Sequence, residues 1–223
     1  MQLRPHQVRI LERMQTYPKG QIIVPTGGGK TMCMIQDTAH VQQSKCGHTT
    51  VVVAPRILLA EQLCSEFLEV LNVKYAHVMH VHSGETHHFS TTNPEKIHVF
   101  ANTAREVGED VLIFTTYNSL QRIADADIEV NNIYFDEAHN SVKKNFFPAT
   151  EHFSGESDRC FFFTATPKQS LTHKKPGMNW GHVYGQTLVN VPAPELVEGG
   201  YILPPKVVVK QLDMVQDKMK VWS

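Results

Sequence analysis

The chain has 223 residues, 41% of them hydrophobic and 19% charged, with a formal net charge of -1. Such a composition excludes a disordered chain, and the near-neutral balance excludes a global basic field, so any nucleic-acid contact must rest on local amides and a few cations. No apolar run reaches the roughly 18 residues of a membrane helix and no signal peptide opens the sequence, so the expectation is a soluble, cytoplasmic protein with no membrane partner.

Short apolar strands alternate with amphipathic helices up to about residue 165, the pattern of an α/β parallel sheet wrapped by helices. In chain order the predicted strands are QIIV (21–24), TTVVVA (49–54), YAHVMHV (75–81), VLIFT (111–115), NIYF (132–135) and CFFFT (160–164). Several are continuously apolar, as strands buried on both faces should be. Between them, Leu59, Leu63, Phe67 and Leu71 form one helical stripe, and Ile97, Phe100, Ala104 and Val107 form another. Thr92, Asn93, Pro94 and Glu95 read as a capping box that begins the second of these helices. Beyond residue 168 the rhythm weakens: KQSLTHKKPGMNW is polar and turn-rich, TLVNVPAPELVEGG holds room for a short helix, and YILPP reads as an exit linker. The last apolar run, KVVVKQLDM, is a candidate for one more strand.

IIVPTGGGKT (22–31) has the order that a phosphate cradle requires, a buried strand, a turn without side chains, and a helix. Pro25, Thr26 and the glycines Gly27, Gly28 and Gly29 would let backbone N–H groups and the helix N-terminus face phosphates; Lys30 would offset their charge and the Thr31 hydroxyl would hold magnesium. A glycine-rich turn in an ordinary α/β protein is the alternative. IYFDEAH weighs against it, because a hydrophobic strand delivers Asp136 and Glu137 where a metal ion and an attacking water must sit. Asp136 would hold the metal and Glu137 would polarise the water.

PTGGGKT and FDEAH resemble motifs I and II of the first RecA-like lobe of superfamily 2 helicases and translocases, and the resemblance spans roughly residues 2 to 167. It implies a P-loop NTPase fold, a RecA-like parallel sheet with helices on both faces, and ATP with Mg2+ as cofactors. LRPHQ (3–7) is similar to the adenine-recognising Q motif, with Gln7 on the base edge and Leu3 and Arg4 lining the site; a Gln amide presents a donor and an acceptor together. An exposed helix position is the plainer reading of Gln7. TATP (164–167) resembles motif III, in which the hydroxyls of Thr164 and Thr166 can hydrogen-bond with His139 and respond to the γ-phosphate. VVVAPRILLAEQ and FTTYNSLQR resemble the motifs that touch a nucleic-acid backbone. There Arg56, Thr116 and Ser119 follow strand ends and open helices, where they could line a track of phosphates without reading bases, or could simply make good helix starts.

Val24 stands where the family has Ala or Gly, a tolerable change if its side chain points into the core. No motif of the family's second lobe is visible. Residues 1–200 are therefore expected to form the first lobe and 201–223 a linker toward a second, which would have to be supplied in cis or in trans to complete the ATP site. The arrangement is most similar to DNA-acting, restriction-enzyme-like helicases rather than RNA helicases. An ATP-switched nucleic-acid-binding module and a different P-loop phosphotransferase stay open beside that reading. His77, His80, His82, His87 and His88 invite a zinc reading, but no cysteine or acid completes an evident tetrahedral set, and a polar loop leaving a strand tolerates histidines. Cys33, Cys46, Cys64 and Cys160, without CxxC spacing, read as small core hydrophobes, and Phe146, Phe147 and Phe161 to Phe163 read as core or domain-interface packing rather than base-stacking platforms.

Overall fold

The structure, a computed structural model, describes residues 1–44, 46–71 and 76–206. Helix α1 (Pro5–Thr16) precedes β1 (Lys19–Ile23), α2 (Lys30–Ser44), β2 (Thr49–Ala54), α3 (Ile57–Val70), β3 (Ala76–Val81) and the short β4 (Phe89–Ser90). Then come α4 (Pro94–Glu106), β5 (Asp110–Thr116), α5 (Leu120–Asp125), β6 (Asn132–Phe135), a 3₁₀ turn (Ala138–Val142), α6 (Phe147–Glu156) and β7 (Arg159–Thr164). The chain continues through α7 (Gly181–Tyr184), β8 (Thr187–Asn190) and α8 (Ala193–Glu198).

All strand pairs among the described residues are parallel, in one sheet of order β4-β3-β5-β2-β6-β7-β1-β8. The predicted RecA-like α/β architecture is thus present. Parallel strands bury both faces, so alternate residues of each strand enter different cores. Val52, Phe114, Tyr134 and Phe161 belong to one core, and Val51, Ile113, Phe135 and Phe162 to the other. Phe161 to Phe163 are fully buried, and Phe146 and Phe147 pack at the edge of the second core, as expected of hydrophobic filling.

Three local expectations are corrected. Asn93, and not Thr92, caps α4: its Oδ1 accepts from the amides of Glu95 and Lys96. Val107 leaves the stripe because α4 ends at Glu106, and Ala101 is buried in that face instead. Cys46 is exposed, whereas Cys33, Cys64 and Cys160 are buried. The segment after 168 is more regular than its composition suggests: β8 pairs with β1 and places Leu188 against Gly20, where a Cβ would meet Leu188 Cγ at 2.3 Å. The last predicted strand lies outside the described residues apart from Lys206.

A buried ion pair ties the layers at the amino ends of the strands. Arg159, at the start of β7, donates to both carboxylate oxygens of Asp37 on α2, each at 2.7 Å, and to Met14 O of α1 at 2.9 Å. The Tyr134 hydroxyl also bonds Asp37, so the carboxylate is saturated inside the core.

Candidate functional site

Because every strand runs the same way, the segments leaving β1, β2, β5, β6 and β7 emerge along one edge of the sheet. Open α/β sheets bind ligands at that edge. The loop after β1 has Gly27 at φ +82° and Gly29 at φ +81°, conformations that a side chain strains. Gly28 is required for space: a Cβ there would sit 2.3 Å from Val24 Cγ1. Val24 is fully buried and its amide donates to Thr164 O at 3.0 Å, so its unusual bulk is absorbed by the core and by the glycine facing it.

Residues of the N-terminal helix hold the loop by its carbonyls. Arg4 Nη1 donates to Gly27 O at 3.1 Å, His6 Nε2 lies 2.6 Å from Gly28 O, and Gln7 Nε2 donates to Gly29 O at 3.2 Å. Gln7 is buried, not an exposed helix position, and its Oε1 accepts from the Arg4 amide at 2.9 Å. Both ends of the Gln7 amide are therefore engaged by this chain's own backbone. Leu3 is only partly buried at the same corner. Tyr201 joins it: the Arg4 guanidinium lies 4.6 Å from its ring centroid, and the His6 ring 5.6 Å away. Ile202 approaches Gly27, so the residues read as an exit linker pack beside the loop.

Lys30, the first residue of α2, crosses to the acids. Its Nζ lies 2.6 Å from Glu137 Oε1 and 3.9 Å from Asp136 Oδ1. Burial pushes the Asp136 carboxyl up to about 6, with Lys30 pulling it down and Glu137 adding to the rise. The Asp136 backbone is clamped, since its amide donates to Val53 O at 2.8 Å and its carbonyl accepts from the Tyr117 hydroxyl at 2.7 Å. Glu137 has φ +49° and ψ +52°, a left-handed conformation that costs a non-glycine residue about 1–2 kcal/mol. Asn140 holds it there, with amide and Nδ2 both donating to Glu137 O, at 3.0 and 2.9 Å.

His139 Nδ1 lies 2.8 Å from Thr164 Oγ1 and 3.5 Å from Glu137 Oε2. Burial lowers the imidazole pKa against the pull of Glu137, which favours the neutral ring. Thr166 joins this link through its backbone, its amide donating to Thr164 Oγ1 at 3.1 Å, and not through its hydroxyl. Thr31 lies partly buried at the start of α2, Pro25 is partly buried and Thr26 is exposed. Along the same edge Arg56 is exposed as the N-cap of α3 and Ser119 is partly buried at the start of α5. Thr116, at 4% exposure, is enclosed and cannot offer its side chain to a phosphate track without movement.

The arrangement suits a magnesium polyphosphate: beside the three loop glycines one lysine meets two carboxylates that offset its charge, and Thr31 follows that lysine at the start of α2. His6, Tyr117, Asn140 and Tyr201 were not singled out in the sequence. Each acts on a backbone carbonyl or a neighbouring ring, which no motif encodes.

A family model described as "Type III restriction enzyme, res subunit" matches residues 1–169. No curated protein matches the chain. Among solved structures, a nuclease-deletion mutant of the Type ISP restriction-modification enzyme LlaGI, in complex with a DNA substrate mimic, superposes with TM-score 0.75 at 21% identity, covering 90% of this chain and 21% of that one. The Pyrococcus furiosus Hef helicase domain gives TM-score 0.61 at 19% identity, over 88% of this chain and 39% of that one. The Sulfolobus solfataricus SWI2/SNF2 ATPase core in complex with dsDNA gives 0.51 at 21% identity, over 75% and 32%. This chain thus spans about a fifth to two fifths of the length of these proteins.

Proposed function

Since the chain belongs to the family of the type III restriction enzyme res subunit, as a helicase-type N-terminal lobe, we propose that it is the ATP-binding half of a motor that moves along DNA. The observation that carries this reading is the convergence of Lys30, Asp136 and Glu137 beside the glycine loop. In the proposed cycle Lys30 leaves Glu137 for the outer phosphates, and Glu137 is freed to orient and polarise the attacking water. Thr31 and Asp136 would hold magnesium, which would offset phosphate charge. His139 and Thr164 carry the phosphate state from Glu137 to β7. Arg4 and Gln7, which grip Gly27 O and Gly29 O, would reach the adenine only by releasing those bonds, with Tyr201 beside Arg4.

DNA is the proposed track because two of the similar structures are described with DNA. Arg56 and Ser119 would hold its phosphates without reading bases. A second RecA-like lobe, in cis or in trans, is proposed to close the site from the opposite side, since this edge of the sheet is open.

Single-turnover ATP hydrolysis with and without DNA or RNA tests the reading. Lys30→Ala is expected to abolish nucleotide binding. Glu137→Gln is expected to keep or tighten binding, because Lys30 loses its competing partner, while hydrolysis falls at least about 10²-fold. The reverse pattern refutes the roles given to these residues, and undiminished hydrolysis in Glu137→Gln refutes the assignment of the water-activating acid.

A further inference from the structure

We propose that Cys64, His80, His88 and Glu61 form a binding site for a Zn2+ ion that pins α3 to the segment joining β3 and β4. Ligand atoms of Cys64, His80 and His88 lie within 4.8 Å of one another. Tetrahedral zinc, with Zn–S of about 2.3 Å and Zn–N of about 2.0 Å, needs these atoms roughly 3.3–3.5 Å apart, a closure of at most about 1.5 Å. His88 is on an exposed loop and can make that movement. Its ring is already stacked on His80, with centroids 5.6 Å apart and planes 15° from parallel.

A second observation points independently to a ligand. His80 is 1% exposed, and its Nε2 has no hydrogen-bond partner among the described residues. Orphaned buried donors of this kind are costly and ask for an explanation. Its other nitrogen, Nδ1, is engaged by His82 Nε2 at 3.1 Å, so Nε2 is the atom left to face Cys64 and His88. Glu61 lines the same cleft one helical turn before Cys64; its carboxylate lies outside the close trio and would swing in to complete a set of one sulfur, two nitrogens and one oxygen. Thiolate and carboxylate together neutralise the ion, and mixed sulfur and imidazole donors favour zinc over magnesium or calcium.

The hydrogen bonds specify how binding reshapes the loop. The Gly84 amide donates to His82 Nδ1 at 3.1 Å, so His82 carries its proton on Nε2 and gives it to His80 Nδ1. Metal binding at His80 Nε2 requires the opposite tautomer. The Cys64 thiol proton leaves to solvent as the Zn–S bond forms, and the His80 proton is relocated from Nε2 to Nδ1. His82 then accepts at Nε2 and is protonated at Nδ1, and the Gly84 amide loses its acceptor. One proton is released per ion. Gly84 lies against Ile57, where an added Cβ would meet Cγ2 at 2.6 Å. The ion would therefore set the position of the first turn of α3, next to Arg56.

The full chain, stripped of metal by a chelator, is to be titrated with Zn2+ and separately with Co2+. The expected result is one ion per chain, about one proton released when calorimetry is compared across buffers, and faster hydrogen exchange at Gly84 in the loaded form. Cobalt should give a thiolate charge-transfer band that vanishes in Cys64→Ala. His88→Ala, at an exposed position, should weaken Zn2+ binding tenfold or more, whereas His87→Ala should leave it unchanged. Absence of stoichiometric binding overturns the proposal. So does binding that survives both Cys64→Ala and His88→Ala, which would place the ion elsewhere. ATP binding does not enter these readouts, so their failure leaves the motor reading intact.

Discussion

Replacing Asp136 by asparagine should stabilise the protein while abolishing the ATP hydrolysis proposed for it. Burial raises this carboxyl from 3.8 to about 6, so the native state holds the proton more tightly than the unfolded chain does. The stability from that proton is present below pH 3.8 and is lost as pH rises through about 6. Above pH 7 the wild type therefore carries a penalty of about 3 kcal/mol, since each tenfold difference in proton affinity between the folded and unfolded chain is worth about 1.4 kcal/mol. Asparagine keeps the shape and the backbone clamps on Val53 and Tyr117 but never ionises. Urea or thermal denaturation at pH 8 should show Asp136→Asn more stable by about 3 kcal/mol, or roughly 6–12 °C for a chain of this size. The advantage should shrink to about half at pH 5. Magnesium with a non-hydrolysable ATP analogue should raise the stability of the wild type and leave the variant nearly unchanged. A variant no more stable than wild type at pH 8, or an advantage that does not fall toward pH 5, refutes the reasoning.

Other substitutions probe the supports of the site. Asp37→Asn leaves the Arg159 guanidinium buried without its carboxylate and should cost about 3–5 kcal/mol in denaturant titrations, far more than any single surface ion pair. His6→Ala removes the side chain against Gly28 O and should lower stability by about 1–3 kcal/mol and weaken ATP-analogue binding measured by calorimetry. Arg56→Ala should weaken the proposed DNA binding about equally for all sequences and reduce the slope of log affinity against log salt by about one, as read by fluorescence anisotropy.

What could be read from the sequence divides along a physical line. The strands NIYF and TTVVVA were legible because strands buried on both faces carry near-continuous apolar runs, here IYF and VVVA, each entered through buried polar residues, Asn132 or Thr49 and Thr50. The glycine loop and the acid pair were legible because their chemistry demands particular side chains at fixed offsets from a strand end. By contrast β8 was hidden: only Leu188 and Val189 of its four residues are buried, and its partner β1 lies more than 160 residues away. His6 and Tyr117 were missed because their partners are main-chain carbonyls, which every residue possesses. The histidine run after β3 lacked a sulfur in sequence, and only the packing of α3 on the sheet brings Cys64 to it.

The pairing of β8 with β1 decides where this domain can be cut. The family match stops at residue 169, yet the sheet does not. A fragment ending there would strip Thr187, Val189 and Asn190 from Gln21, Ile22 and Ile23, leaving the strand that feeds the glycine loop as an open edge. An apolar edge of unpaired N–H and C=O groups recruits other chains. Such a fragment would keep every residue of the recognised motifs and still be prone to aggregate, with the loop carried on the very strand through which it sticks.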